Sequence, residues 1–244
     1  MALTLYDLPH CYDLAFGWDV TAEADLMEAA IADHGRPGSR LLLEPACGTG
    51  RLLPALAWRG YQLVGYDHNR AMVEHARQRM KAEGATDQVA IRQADMIDAR
   101  FDESFDAAFC PINSLAHMLT DDAISRHLQV TAQSLQPGGV YLVQLTSFHE
   151  PDTNHLPYTY SAEDGELALS IRWTVESEDP NARLAVNRCQ LAITENGQTR
   201  HRDELVELRL WLHDDWQRLV EASPFDQVDA RGDEEFPWMV LKRA

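Results

Sequence analysis

The stretch "LLLEPACGTG", residues 41–50, joins an apolar run to a loop of small residues. Three consecutive leucines before a glycine-rich turn predict a buried strand over residues 40–45 that leaves the core at its carboxyl end. Gly48 and Gly50 let the backbone turn sharply and lie against a ligand, because a side chain would fill that space. A structural turn without a ligand explains two glycines equally well, so the loop alone does not define a function.

Strands alternate with helices on both sides of this loop. Apolar periodicity and turn residues predict four helices and four further strands: helices 21–34, 50–58, 70–82 and 121–135, and strands 61–66, 88–93, 105–110 and 140–146. We expect Thr21 to cap the first of these helices. The alternation predicts an α/β fold, Rossmann-like and doubly wound, whose mostly parallel sheet is covered by helices on both faces.

The pattern changes after residue 146 to strict apolar/polar alternation, as in "LALSIRWTVES", which is typical of half-buried antiparallel strands. "ENGQ" at 195–198 predicts a hairpin turn between two such strands. We therefore expect an antiparallel β insertion that is set into the sheet after its fifth strand. Helix 213–222 follows, and strands 225–230 and 237–242 complete a seven-stranded main sheet. The sequence predicts four segments. Residues 1–36 form an N-terminal arm and helix that act as a lid, and residues 37–150 form the cofactor-binding core. Residues 151–212 form the insertion, and residues 213–244 form a C-terminal helix with the last strands.

Composition narrows the function classes. The 244 residues carry 21 Lys+Arg against 39 Asp+Glu, a net charge of −18 with a pI of about 4.8. Nucleic acids and anionic membranes bind through Lys and Arg, so neither is the expected partner. The four cysteines form no CxxC pair, and no secretion signal or membrane span is evident, which predicts a cytoplasmic protein. The sequence leaves open whether the protein forms a homodimer.

Acidic residues follow two further strands. An acid at the tip of the second strand, Asp67, can accept hydrogen bonds from both hydroxyls of a ribose. The alternative is that Asp67 or Asn69 caps the helix that follows. After the third strand, Asp95 can accept from an adenine amine, and Met96 offers a polarizable surface to the ring. Three successive strand ends with such groups favour an adenosine-containing cofactor.

Taken together, these residues resemble the class I S-adenosylmethionine-dependent methyltransferases over about residues 38–147. "LEPACGTGR" is similar to the first motif of that family, Asp67 to its ribose acid, "ADM" to its adenine motif and "LQPGGVYLV" to the turn into its fifth strand. The sequence departs from the family in having Ala46 where glycine is usual and Glu44 where aspartate is commoner. The resemblance implies S-adenosyl-L-methionine bound by Glu44, Ala46, Cys47, Gly48, Gly50, Asp67, His68, Met72, Asp95, Met96 and Cys110.

A nicotinamide cofactor is disfavoured, because no third glycine follows Gly50 to place a pyrophosphate. Acceptor chemistry is expected after the fourth strand, in "FCPINSLAHM". The motif typical of nucleic-acid amino-methyltransferases is absent there, and the order Cys110-Pro111 is the reverse of that in cytosine C5 enzymes. A small-molecule N- or O-methyltransferase is the favoured reading; a nucleic-acid or protein methyltransferase, or a cofactor-binding protein without transfer activity, is the alternative.

Candidate catalytic residues are His117 as a general base, Asn113 and Ser114 as groups that orient the acceptor, and Tyr12 on the arm. A turn cap for Asn113 and a solvated position for His117 are the structural alternatives. Four aromatic residues predict that the arm covers cofactor and substrate, although a packed arm explains them too: Tyr6, Tyr12, Phe16 and Trp18.

One further segment, "FHEPDTNH", has residue types that bind metals: His149, Glu150, Asp152 and His155. Their spacing matches no metal motif, so we predict no metal and a substrate-facing loop instead.

Overall fold

The structure, a computed structural model, describes residues 4–146, 148–150 and 157–244. Its helices are α1 Pro9–Phe16, α2 Thr21–His34, α3 Leu53–Trp58, α4 Arg70–Ala82, α5 Asp121–Ser134 and α6 His213–Glu221. Its strands are β1 Leu41–Pro45, β2 Gln62–Asp67, β3 Val89–Gln93, β4 Phe105–Cys110, β5 Leu135–Gln144, β6 Tyr158–Asp164, β7 Leu167–Asp179, β8 Leu184–Glu195, β9 Gln198–Arg209, β10 Phe225–Arg231 and β11 Trp238–Arg243.

Seven strands form the main sheet in the order β10-β11-β5-β4-β1-β2-β3. The five strands from β5 to β3 pair in parallel, whereas β11 runs antiparallel to both β5 and β10. Successive leucines of β1 pack into different cores: Leu42 lies in the cluster on one face and Leu43 in the cluster on the other. Burial on both faces explains why β1 is a continuous apolar run. The predicted α/β class is confirmed.

The antiparallel insertion forms a sheet of its own, in the order β6-β7-β8-β9. The expectation that it is set into the main sheet was wrong: within the described ranges, these strands pair only with one another. Strand β6 was not predicted: its alternation of Tyr158, Tyr160 and Ala162 with polar residues is short, and Tyr158 is exposed while Tyr160 and Ala162 are only partly buried. The predicted hairpin is present, with Asn196 at φ 50° and Gly197 at φ 72°, the positive values that its turn requires.

The N-terminal arm, residues 4–18, packs against this second sheet. Its apolar residues share a core with the inner face of the sheet: Leu5, Cys11 and Ala15 with Leu169, Ile171, Cys189, Leu191 and Ile193. The amide of Leu5 also donates to the carboxylate of Glu204 on β9, at 3.0 Å. The arm therefore joins the second sheet to the core.

Three expected boundaries shift for local reasons. Helix α3 begins at Leu53 rather than 50, because Gly48 and Gly50 have positive φ and hold the preceding residues in a loop. Strand β5 begins at Leu135 rather than 140, where Leu135 pairs with Phe105. Thr21 is the first residue of its helix rather than the cap; the carboxylate of Asp19 accepts from its amide at 2.8 Å.

Candidate functional site

The loop after β1 has three residues in the left-handed region: Ala46 at φ 50°, Gly48 at φ 52° and Gly50 at φ 74°. Ala46 keeps the conformation that glycine favours, which accounts for glycine being usual there. A Cβ on Gly50 would lie 3.2 Å from the Met80 side chain, so this glycine allows the loop to pack on α4. A Cβ on Gly48 would meet only the ring of Tyr12, at 3.7 Å. Gly48 therefore forms the open side of the loop.

Asp67, at the end of β2, binds this loop. One carboxylate oxygen accepts from the amide of Gly48 at 3.0 Å, and the other accepts from the amide of Asn69 at 2.8 Å. Burial raises the pKa of Asp67, against the opposing effect of these amide bonds. Asn69, not Asp67, caps α4, since its side chain accepts from the amide of Ala71 at 2.8 Å. Asp67 is thus held beside Gly48 with lone pairs left for a ligand.

A buried carboxyl group and a buried guanidinium lie at the two ends of the loop. Glu44 is 2% exposed, its Oε2 has no partner among the described residues, and burial raises its pKa well above the usual range. Arg51 binds Glu23 through two hydrogen bonds of 2.5 and 2.8 Å, while its buried Nε has no described partner. An unpartnered buried acceptor and donor suit the ammonium and carboxylate of an amino acid, which the methionine part of the expected cofactor carries.

Arg51 was missed by the sequence reasoning. Its position directly after the glycine loop was the available signal, but an arginine there also suits an exposed helix start. The structure buries it under the arm, where its guanidinium lies 4.7 Å from the centre of the Trp18 ring.

The remaining expected cofactor residues lie around the ends of β2, β3 and β4. His68 and Asp95 are exposed, and the Asp95 carboxylate accepts from the amide of Ile97 at 3.1 Å. Met96 is half-buried, and Met72 is buried on α4. Their contacts with a cofactor stay a prediction.

Two cysteines beside the loop are inert thiols. Burial raises the pKa of Cys47 well above its usual range and that of Cys110 to about 12. A thiol with so high a pKa remains protonated and is not a nucleophile. Cys110 is therefore a buried thiol and not a nucleophile like that of the cytosine C5 enzymes.

A row of aromatic rings connects the acceptor loop to Arg51 along the arm. The ring of His117 meets Tyr6 edge-on at 5.1 Å, Tyr6 lies 5.9 Å from Tyr12, and Tyr12 lies 4.5 Å from Phe16. Phe16 in turn lies 5.8 Å from Trp18, the ring against which Arg51 packs. Tyr12 is half-buried above Gly48, so the arm lies over the open side of the loop.

Charged groups hold the arm in this position. The carboxylate of Asp13 contacts Nε2 of His75 at 2.5 Å and a guanidinium nitrogen of Arg79 at 2.9 Å, both on α4. Arg79 also donates to the backbone oxygen of Thr49 in the glycine loop, at 3.4 Å. Burial would raise the pKa of Asp13, but the hydrogen bonds of His75 and Thr49 and the charge of Arg79 outweigh it and lower that pKa.

On the acceptor side, Asn113 is used structurally. It adopts a left-handed conformation, φ 53°, and its side-chain oxygen accepts from Nε1 of Trp211 at 2.8 Å and from the amide of Thr146 at 3.3 Å. These bonds fix the loop after β4 against β5 and the chain leaving β9. Ser114 donates to the backbone oxygen of Pro111 at 2.8 Å. Their roles in orienting an acceptor stay predictions, and for Asn113 only the amide nitrogen remains to fill that role.

His117 ends a short 3₁₀ turn, Ser114–His117, next to the arm. The residue is exposed, yet the neighbouring protein atoms desolvate its charged form and so lower its pKa, with a smaller contribution from His68. A lowered pKa keeps the imidazole neutral near pH 7, which is the form that accepts a proton.

Two open cavities, of about 410 and 460 Å³, are lined by residues outside the glycine loop and the strand ends that follow it. The first lies on the outer face of the second sheet and includes Arg172 and His201; the second includes His149, Arg183 and His213. Because Tyr12 covers Gly48, cavity volume does not locate the site, whereas the strand ends and the unpartnered Glu44 and Arg51 do.

Within the described ranges, no group of three or more His, Cys, Asp or Glu side chains is placed to hold a metal. His149 instead contacts the carboxylate of Glu178 at 3.3 Å. Asp152 and His155 lie outside the described residues. No helix in the described part of the chain combines the length and the apolar content needed to cross a membrane.

Known proteins share this architecture. Residues 42–139 match the family described as "Methyltransferase domain". The dTDP-3-amino-3,4,6-trideoxy-alpha-D-glucopyranose N,N-dimethyltransferase of Streptomyces venezuelae is 30% identical over 154 residues, which cover 60% of this chain and 61% of that protein. The dTDP-4-amino-2,3,4,6-tetradeoxy-D-glucose N,N-dimethyltransferase of Saccharopolyspora spinosa is 27% identical over 219 residues, 90% and 83% of the two chains.

Among solved structures, the sugar N-methyltransferase KedS8 from Streptoalloteichus sp. ATCC 53650 superimposes with a TM-score of 0.83 over 100% of this chain and 94% of that one, at 22% identity. At 22% identity, this structural similarity is evidence for the fold only. The glycine loop and the strand-end acids agree with the matched family, which identifies residues 42–139 as a methyltransferase domain.

Proposed function

We propose that this protein transfers a methyl group from S-adenosylmethionine to a nitrogen or oxygen of a small molecule, and that its acceptor is the amino group of a nucleotide-linked sugar. The observation that carries the proposal is the open loop at Gly48, with Asp67 beside it and the unpartnered Glu44 below. The names of the two relatives, both dimethyltransferases of dTDP-linked amino sugars, support this acceptor class.

The cofactor would lie across the ends of β1, β2 and β3. Asp67 would accept from the ribose, Asp95 from the adenine amine, and Glu44 and Arg51 would bind the ammonium and carboxylate of the methionine part. Tyr12 would then cover the bound molecule where it now covers Gly48. When bound, the cofactor supplies an electrophilic methyl group on a sulfonium.

The protein's own contribution to the chemistry is orientation and proton transfer. An amine is protonated at neutral pH and must lose a proton before it attacks. His117, held neutral by its lowered pKa, would take that proton, and Tyr6 would fix the imidazole through their edge-on contact. The amine lone pair would then be free to form the new C–N bond, and the electrons of the C–S bond would stay on sulfur. Alignment of the two ligands supplies the rest of the acceleration.

The remaining partner assignments are also proposals. The net charge of −18 disfavours nucleic acid and anionic membranes, and a cytoplasmic enzyme accords with the cysteine pattern. Light scattering during gel filtration tests the homodimer that the sequence leaves open, and filter binding with tRNA and duplex DNA tests the excluded partners.

The experiment for the proposed function has two parts. Calorimetry with S-adenosylhomocysteine and with NAD tests the cofactor; binding of NAD in preference would contradict the proposal. Mass spectrometry of dTDP-linked amino sugars incubated with S-adenosylmethionine then tests the acceptor, with the matching 3- and 4-hydroxy sugars as controls. Methylation of the hydroxy sugars alone would show that the acceptor atom is oxygen and not nitrogen. Methylation of neither class would overturn the sugar assignment.

A further inference from the structure

A fully buried histidine on α5 connects the loop after β3 to the interior of the sheet. His127 is 0% exposed; its Nδ1 lies 3.0 Å from the backbone oxygen of Met96, and its Nε2 lies 2.7 Å from the hydroxyl of Tyr141 on β5. Tyr141 in turn contacts the thiol of Cys110, the last residue of β4. These bonds form a continuous polar connection between the loop of Asp95 and Met96 and the start of the acceptor loop.

The direction of each hydrogen bond follows from its partners. The oxygen of Met96 can only accept, so Nδ1 of His127 carries a proton and donates. Burial lowers the pKa of His127 to about 4, which keeps the ring neutral and makes Nε2 an acceptor. The hydroxyl of Tyr141 therefore donates to Nε2, and its oxygen is left to accept from the Cys110 thiol. Every polar atom of His127 is thus used, in one tautomer only.

We propose that His127 is a positioning residue that fixes the Met96 backbone, and through it Asp95, in the geometry that recognises the adenine amine. The inference rests on the proposed function, since it takes Asp95 and Met96 to be adenine contacts. Asp95 itself is exposed; its side chain accepts from the amide of Ile97 at 3.1 Å, and its backbone oxygen accepts from the amide of Ala99 at 3.0 Å. The amide of Ala94 donates to the backbone oxygen of Asp67 at 3.1 Å, so the loop is held at its start by β2 and at Met96 by the side chain of His127.

A histidine that only stabilises the core would behave differently. Its loss would lower the melting temperature without altering which purine the protein prefers. Loss of a positioning residue would instead let the loop shift, so that the amine of adenine is no longer distinguished from another group at the same position. The ratio of two ligand affinities separates these roles, because a general loss of stability cancels in the ratio.

The probes are S-adenosylhomocysteine and S-inosylhomocysteine, which carries an oxo group in place of the adenine amine. Calorimetry measures both affinities for the wild type and for His127→Asn, His127→Gln and His127→Phe. The Asn amide nitrogen takes the place of Nδ1 and can still donate to Met96, whereas the Gln amide group takes the place of Nε2 and faces Tyr141. Ser134→Ala is the control: Ser134 is buried on the same helix and donates to Val130, away from the loop.

We expect the wild type, His127→Asn and Ser134→Ala to prefer the adenine ligand by about tenfold or more, the discrimination that one hydrogen bond to a charged group supplies. For His127→Gln and His127→Phe we expect a preference of about twofold or less. A wild-type ratio in the Gln variant would overturn the inference, and this comparison does not depend on the Phe variant folding. Equal affinities in the wild type would overturn it too while leaving cofactor binding intact. Failure of the wild type to bind either ligand would instead contradict the proposed function.

Discussion

The two sides of the site are built in different ways. The cofactor side consists of loops that directly follow β1, β2 and β3, within residues 44–96, and its hydrogen bonds link neighbouring strand ends, as between Asp67 and Gly48. The acceptor side is assembled from segments far apart in the chain: Tyr6 from the arm, His117 after β4 and Trp211 after β9. A site made by one run of sequence leaves a motif, whereas a site made by tertiary packing does not.

The largest expected effect tests the cofactor side. Gly48→Val should weaken binding of S-adenosylhomocysteine by more than about 10³-fold, because a branched side chain is strained at φ 52° and would fill the space below Tyr12. Calorimetry measures the affinity, and circular dichroism checks the fold. Gly197→Val is the matched control, since Gly197 also has positive φ, 72°, but lies at a hairpin with open space around it. Unchanged binding by the Gly48 variant would show that the loop faces no ligand.

The second effect tests the acceptor side. His117→Ala should lower single-turnover methyl transfer about 10²-fold with cofactor affinity unchanged, because a general base acts on the rate and not on the other ligand. Exposed His201 provides the control substitution to Ala. A loss of cofactor affinity without a loss of rate would contradict the separation of the site into a cofactor side and an acceptor side.

The pH dependence of the wild-type enzyme sharpens this second test. The pKa of His117 is lowered below the usual value of about 6.5. The neutral base is therefore present near pH 7, and the rate should fall only as the pH drops through that lowered pKa. In His117→Ala the limb at this pKa should be replaced by a dependence on free amine, so that the rate rises about tenfold per pH unit up to the pKa of the amine. An identical profile in both proteins would remove His117 as the base.

A third, smaller effect distinguishes ligand binding from loop support. Asp67→Ala should weaken the cofactor by about 2 kcal/mol, the usual penalty for leaving buried hydrogen-bonding partners unsatisfied. Asp106→Ala is the matched control, because Asp106 also accepts from two backbone amides, those of Arg40 and Leu41 at 2.8 and 2.9 Å, but at the opposite end of β1. If both variants bind alike in calorimetry, Asp67 only supports the backbone.

The smallest effect concerns the arm, which touches both sides. Asp13→Asn should weaken S-adenosylhomocysteine about threefold to tenfold at low salt, because the partly buried contacts of Asp13 with His75 and Arg79 hold the arm over Gly48. The difference from wild type should shrink at high salt. Glu74→Gln, which breaks the exposed pair with Arg70 on the same helix, should have no effect. An equal effect of both substitutions would show that the loss of affinity comes from the change in net charge and not from release of the arm.

These differences explain what the sequence could predict. Leu42 and Leu43 are buried on opposite faces of β1, so the apolar run predicted the parallel sheet, and Gly48 and Asp67 lie together because consecutive parallel strands end at one edge. Strand β6 alternates only briefly, and the residues on its inward face are at most partly buried, so it left a weak signal. Arg51 could not be placed, since its burial depends on Trp18 and Glu23, which only the folded chain brings to it.

The arm's double attachment bears on repeated methylation. It binds the cofactor side through Asp13 and the second sheet through the Leu5 amide and Glu204, so it forms a wall common to both ligand positions. Replacing spent cofactor would require that wall to move, and the same movement would uncover the acceptor. If the acceptor is an amine that takes two methyl groups, the singly methylated molecule would leave between the two transfers, and dimethylation would be distributive.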